Sequence, residues 1–220
     1  MHPSRSRGAA PGSSKNAPTM RGTDDEIREK YLERAIRELN TLTRDLQSCR
    51  GCPRGSRMPV LGSGHPQADI FLVKHAPRPS EVEEGVAFYG RSGTALMKSL
   101  KRLSIDPLAV YGTLCVKCPV VDTDLADPAC VSRLAEELAI VQPKIVVVMG
   151  EEALAILNEL AVPLARPVQP QPGVVQSLTP AIDALYTPDI DESLDEQEAK
   201  RAFWSAFRVL GEWYAELPPY

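Results

Sequence analysis

The chain has no apolar run approaching the roughly 18 residues of a membrane span, which excludes a transmembrane helix. Its first residues are basic but have no apolar centre, so no secretory signal is expected. The expectation that follows is a cytoplasmic protein whose five cysteines stay reduced, or ligate something, rather than pair as disulfides. There is no basic excess either: 25 Lys and Arg face 29 Asp and Glu, a net charge of -4. The sum therefore does not mark a nucleic-acid protein, although a local basic face would, because distribution decides this. No internal repeat is found.

What is present is 220 residues with an ordinary hydrophobic fraction of 43%, enough for one large domain or two small ones with a real core. Residues 1–22 are rich in Ser, Pro, Gly and Ala. They carry Arg5, Arg7, Lys15 and Arg21 and no acid, the composition of a disordered basic tail. Thr23-Asp-Asp-Glu26 is a capping-box pattern, and apolar residues from Ile27 to Leu46 at three- and four-residue steps predict a helix to about Gln47. Beyond it, short apolar runs at 69–73, 110–116 and 144–149 alternate with helical patterns at 94–103, 128–141 and 151–160. That alternation predicts an α/β fold with a parallel sheet, the Val- and Ile-rich run 144–149 being central. Five prolines from Pro163 to Pro180 interrupt the pattern. Short strands are expected near 174–178 and 185–186, and a last helix over 194–214.

Ligand chemistry concentrates in Asp69–Gly93. A buried strand breaks at Ala76-Pro77, a polar loop follows, and Gly90-Arg-Ser-Gly93 opens a helix. Backbone N–H groups at the carboxyl end of a strand are where open α/β sheets bind ligands. The cysteines form a second feature. Cys49-x-x-Cys52 sits at a helix end, and Cys118 and Cys130 flank a later polar loop. Four thiolates suit an iron–sulfur cluster or zinc. Cys115-x-x-Cys118 makes a second pair, so spacing alone leaves both open, with the absence of any metal a third reading. Cys115 lies inside an apolar strand run and reads as a small buried hydrophobe.

Ala76-Pro77, Glu81, Gly85, Phe88, Gly90 and Gly93 follow the pattern of the family-4, iron–sulfur uracil-DNA glycosylases, which the chain resembles from about Cys49 to its C-terminus. The resemblance implies a three-layer α/β/α sandwich with a short central parallel sheet over 23–220, DNA as partner and no membrane. It implies a [4Fe–4S] cluster on Cys49, Cys52, Cys118 and Cys130, stapling two loops beside the DNA-facing surface rather than serving redox catalysis. It places Phe88 as the ring on which a flipped base stacks, with Ala76 and Pro77 lining the base site. Gly90, Arg91, Ser92, Gly93 and Lys117 become candidates for the DNA backbone.

The chain departs from that family's pattern at four positions. His75 stands where the family has an acidic residue that orients the attacking water, and Arg78 where it has glycine. Leu114 replaces the asparagine that reads the base edge, and Thr187 the histidine that stabilises the leaving anion. His75 is the one candidate for a substitute base, its ordinary pKa lying near neutrality. The expectation is weak or altered N-glycosidic hydrolysis within a DNA base-excision scaffold, the alternative being a non-catalytic DNA-binding homologue that kept scaffold and cluster.

Overall fold

The computed structural model describes residues 20–218. Residues 1–19 of the expected basic tail lie outside them. The first helix, α1 (Met20–Ser48), begins upstream of the capping-box pattern, so Thr23 is not its N-cap. Gly22 inside a helix costs only about 1 kcal/mol, and the helix runs through it. Ala35, Leu42 and Leu46 are buried, whereas Ile27, Tyr31 and Ile36 of the same pattern are exposed.

The remaining elements alternate as expected: β1 (Ser63–Gly64), β2 (Ile70–Lys74), α2 (Pro79–Glu84), α3 (Arg91–Arg102), β3 (Val110–Leu114), α4 (Pro128–Val141), β4 (Ile145–Met149), α5 (Glu151–Glu159), β5 (Val175–Thr179), β6 (Ile182–Thr187) and α6 (Gln197–Ala215). The sheet order is β1-β3-β2-β4-β6-β5. The four inner strands are parallel, while β1 and β5 add antiparallel edges, so the sheet is mixed rather than purely parallel. β2 and β4 are buried along their whole length, which is why both read as continuous apolar runs.

Side chains alternate between two cores. Ile70, Leu72, Ile145, Val147 and Leu185 meet Leu96 and Leu100 of α3 and Phe203, Phe207 and Leu210 of α6. Phe71, Val73, Val146, Val148 and Ala184 meet α4 and α5. This is the expected three-layer sandwich. One segment of the polar loop is in fact helix. In α2, Pro79 opens the first turn and the Glu81 carboxylate accepts from the backbone N–H of Arg78, 2.7 Å away, while Gly85 closes the helix at φ 74°.

Candidate functional site

At the carboxyl ends of the parallel strands, Leu114, Lys74, Met149 and Thr187 are register neighbours across β3, β2, β4 and β6. All four are fully buried. The alternation that puts Ile70 and Leu72 in the α3/α6 core puts Lys74 there too, a cation in an interior position. Its Nζ lies 2.8 Å from Glu81 Oε2 and 2.6 Å from Asp191 Oδ2. It also stands 5.6 Å from the Phe88 ring centroid, close enough for a cation–π contact. Arg78 Nε reaches the same Asp191 oxygen at 3.2 Å. Three segments are thus tied together: the end of β2, helix α2 and the loop after β6.

Phe88 is held with unusual care. Its φ of 58° is left-handed, a conformation a bulky residue adopts only when its surroundings impose it. Its N–H donates to Glu81 Oε1 at 2.5 Å. A Cβ on Gly112 would fall 2.7 Å from the Phe88 ring, and one on Gly93 would fall 1.7 Å from its carbonyl oxygen. The two glycines make the room that this ring and its backbone need.

His75, Ala76 and Pro77 are half-buried beside this network. The His75 carbonyl accepts from the Val116 N–H at 2.8 Å, which fastens the loop to the continuation of β3. Among the described residues the His75 imidazole has no hydrogen-bond partner, and so no group orients it as a general base is usually oriented. Leu114 offers only its carbonyl, which accepts from Lys117 Nζ at 2.7 Å. The Thr187 hydroxyl donates to the Pro188 carbonyl at 3.0 Å. Gly90 caps α3 at φ 82°, Ser92 is buried, and exposed Arg91 pairs with Asp195 at 2.6 Å.

Lys117 is not at a DNA-facing surface. It is fully buried, with Nζ 2.8 Å from Glu137 Oε2. Glu137 also accepts from Tyr111 at 3.1 Å and Thr113 at 2.8 Å. A phosphate cannot reach it, which removes Lys117 from the backbone-contact candidates.

The cysteines form a separate group. The Sγ atoms of Cys52, Cys118 and Cys130 all lie within 4.8 Å of one another, and all three residues are buried. Cys49, half-buried just past α1, stands outside that distance. The Asp127 N–H points at Cys52 Sγ from 3.2 Å, and the Cys118 thiol, with the backbone N–H groups of Lys117 and Cys118, holds the Cys130 thiol down at about 5. Cys118 is pushed up in turn by its bond to Cys130 and by burial, and burial raises Cys52, so without a cation among them the three sulfurs share one negative charge rather than three. Arg54, itself buried, donates to the carbonyls of Gln47 at 3.0 Å, Cys49 at 2.9 Å and Arg57, wrapping the Cys49–Arg57 loop round a positive charge. Three converging buried sulfurs with N–H donors around them fit a thiophilic metal group, whose charge would hold them as thiolates. Cys115 is apart and buried, its thiol pushed up to about 12 by burial.

Sequence reasoning missed Lys74, Asp191 and Arg54. The signal for Lys74 was present, since a charged residue at an inward strand position is buried only when paired. Asp191 had none, lying 117 residues from its partner.

The model of the uracil DNA glycosylase superfamily matches residues 61–208. The chain belongs to that superfamily. Type-4 uracil-DNA glycosylases are among its relatives. One from Sulfurisphaera tokodaii is 32% identical over 124 residues, covering 52% of this chain and 56% of the relative. One from Pyrobaculum aerophilum is 28% identical over 129 residues, 56% of this chain and 66% of the relative. One from Archaeoglobus fulgidus is 27% identical over 131 residues, 57% and 66% respectively. The chain thus spans 56–66% of the length of these curated relatives. The family-4 resemblance read from the motifs holds, and the three-layer sheet is the scaffold on which this superfamily member sets Phe88 and its loop. No helix among the described residues is long and apolar enough to cross a membrane.

Proposed function

We propose that this chain is a DNA-binding protein of base-excision-repair type that holds a [4Fe–4S] cluster and hydrolyses the N-glycosidic bond of a flipped base weakly or with altered specificity. The observation that carries the reading is the row Leu114, Lys74, Met149, Thr187 beneath Phe88. Phe88 offers a ring for an extruded base, and the Ala76-Pro77 loop a wall. The row offers an ammonium already bound to two carboxylates and one hydroxyl, Thr187, whose proton goes to the Pro188 carbonyl. A site with so few free groups for a base edge discriminates poorly between bases. Each missing stabiliser of a developing anion costs about 2.7–4 kcal/mol of barrier. His75, unoriented, is the candidate base that remains.

Cys52, Cys118 and Cys130, with Cys49 brought in as the fourth thiolate, are the proposed cluster ligands. The bound cluster would supply a rigid covalent staple between the loop after α1 and the start of α4. Arg91, with Gly90, Ser92 and Gly93 at the helix start, is the proposed phosphate contact at the site mouth, exchanging Asp195 for DNA.

The second reading, a non-catalytic DNA-binding homologue, is favoured by the Lys74–Asp191 and Arg78–Asp191 pairs that close the site. Release of free base from single- and double-stranded oligonucleotides carrying uracil, then other lesions, decides between the two. Slow release abolished by Phe88→Ala supports the enzyme. Binding without release from any lesion supports the homologue.

A further inference from the structure

Away from the base site, charge is distributed very unevenly. A cleft of about 1510 Å³ lies between α3 and the first half of α6. Six cations line it: Arg91, Lys98, Lys101 and Arg102 from α3, and Lys200 and Arg201 from α6. All six are exposed, and no acid is among the described lining residues, in a chain with 29 acids against 25 Lys and Arg. Arg91 is paired with Asp195; among the described residues the other five have no carboxylate partner. Uncompensated like charges in a groove focus a positive potential that a polyanion relieves.

Two aromatic rings are interleaved with these cations. Trp204 is half-buried in the cleft, with the Arg102 guanidinium carbon 5.6 Å from its ring. Tyr89, 48% exposed, stands at the other end beside Phe88. A basic groove with exposed aromatic faces binds single strands, because every unpaired base has a face to stack and a duplex hides it. The 12 residues of α3 rise about 17 Å, long enough to meet several successive phosphates of one strand. The upper end of the cleft, at Tyr89, Gly90, Ile190 and Leu194, is formed by the same two loops that flank the base site.

We propose that this cleft is a track for single-stranded DNA, its phosphates met by the five unpaired cations and its bases stacked on Trp204 and Tyr89, leading to the mouth of the base site. The inference rests on the DNA-binding reading above and adds the form of DNA and the surface that takes it.

The test is fluorescence anisotropy of the full-length protein with a labelled undamaged 20-nucleotide single strand, its duplex and the matching RNA, over a salt series. The triple variant Lys98→Gln, Lys101→Gln, Lys200→Gln touches only exposed side chains. It is expected to weaken single-strand binding, with the log–log salt slope falling by about 2 for three lost contacts. Trp204→Leu is expected to weaken single-strand binding about 5- to 150-fold while leaving the duplex unchanged. Unchanged affinity and slope in the triple variant, with the parent protein binding normally, overturns the track and leaves the DNA-binding reading standing. No binding of any DNA by the parent protein overturns both. Tighter binding of RNA, or equal weakening of duplex and single strand with Trp204→Leu silent, overturns the assignment to single-stranded DNA.

Discussion

Among the described residues two lysines are buried completely, and they do different work on opposite faces of one sheet. Lys117 meets Glu137 of α4 on the α4/α5 side, with Tyr111 and Thr113 donating to the same carboxylate. Burial, and then the charge of Glu137, raise the Tyr111 phenol far above its usual range, so it stays protonated as a donor. The pair joins the continuation of β3, which carries Cys118, to the helix that carries Cys130. Lys74 meets Glu81 and Asp191 on the α3/α6 side and joins three segments around Phe88. One pair braces the thiol group; the other lies against the Phe88 ring. Burying an ion pair is rarely a gain in stability over an apolar core, so what each pair holds in place explains it better.

The hardest test of this division is at the thiols. Cys118→Ala is expected to abolish bound iron and the brown absorbance of anaerobically purified protein, as should Cys49→Ala, Cys52→Ala and Cys130→Ala. Cys115→Ala and Lys74→Met should leave both intact. Colourless protein with stoichiometric zinc would overturn the cluster assignment.

Next in size is the stability difference between the lysines. Lys117→Met removes the cation paired with Glu137 and leaves that buried carboxylate only the Tyr111 and Thr113 hydroxyls, and is expected to cost about 3–5 kcal/mol in urea unfolding. Lys74→Met should cost about 1.5–3 kcal/mol, the worth of a hydrogen bond to a charged group, because Glu81 keeps two backbone N–H donors and Asp191 keeps Arg78. Lys117→Met should also lower iron content, which Lys74→Met should not. Equal costs with equal iron would dissolve the comparison.

Catalysis probes the Lys74 side alone. The combined change Lys74→Ala, His75→Glu, Leu114→Asn, Thr187→His is expected to raise uracil release about 10²- to 10³-fold, the worth of one restored oxyanion-type donor. Without Lys74→Ala the other three should do far less, because the ammonium still lies against Phe88. They must be changed together, since groups acting as one unit are not additive. An equal rise with Lys74 intact would show that it does not obstruct the base.

The layers were legible because period-two alternation and continuous apolar runs record burial directly. The runs later found as β2 and β4, and the Pro-led start of α4, reached the structure nearly unchanged. The site was legible where short motifs carry backbone requirements, as at Gly90 and Gly93 around Phe88. It was not legible where charge meets charge across the fold. Lys117, beside Cys118, read as a phosphate contact, because nothing local announces Glu137. Lys74 ended an apolar run and passed as its boundary. Helix α2 was missed although Pro79 and Glu81 stand at its first and third positions, a start signal hidden by the expectation of a loop.

The smallest expected effect separates the centre of the Lys74 network from its rim. Arg78 Nε reaches Asp191 at 3.2 Å, but the Arg78 side chain is 52% exposed and solvent screens the pair. Such pairs contribute about 0.2–1 kcal/mol. Arg78→Ala keeps the backbone N–H that Glu81 accepts and leaves Asp191 bound to Lys74. It should therefore lower stability by less than about 1 kcal/mol, and by less still at high salt. Lys74→Met, buried, should show almost no salt dependence. A loss from Arg78→Ala as large as that from Lys74→Met would move the keystone of the network to the surface and leave Lys74 as its dependent.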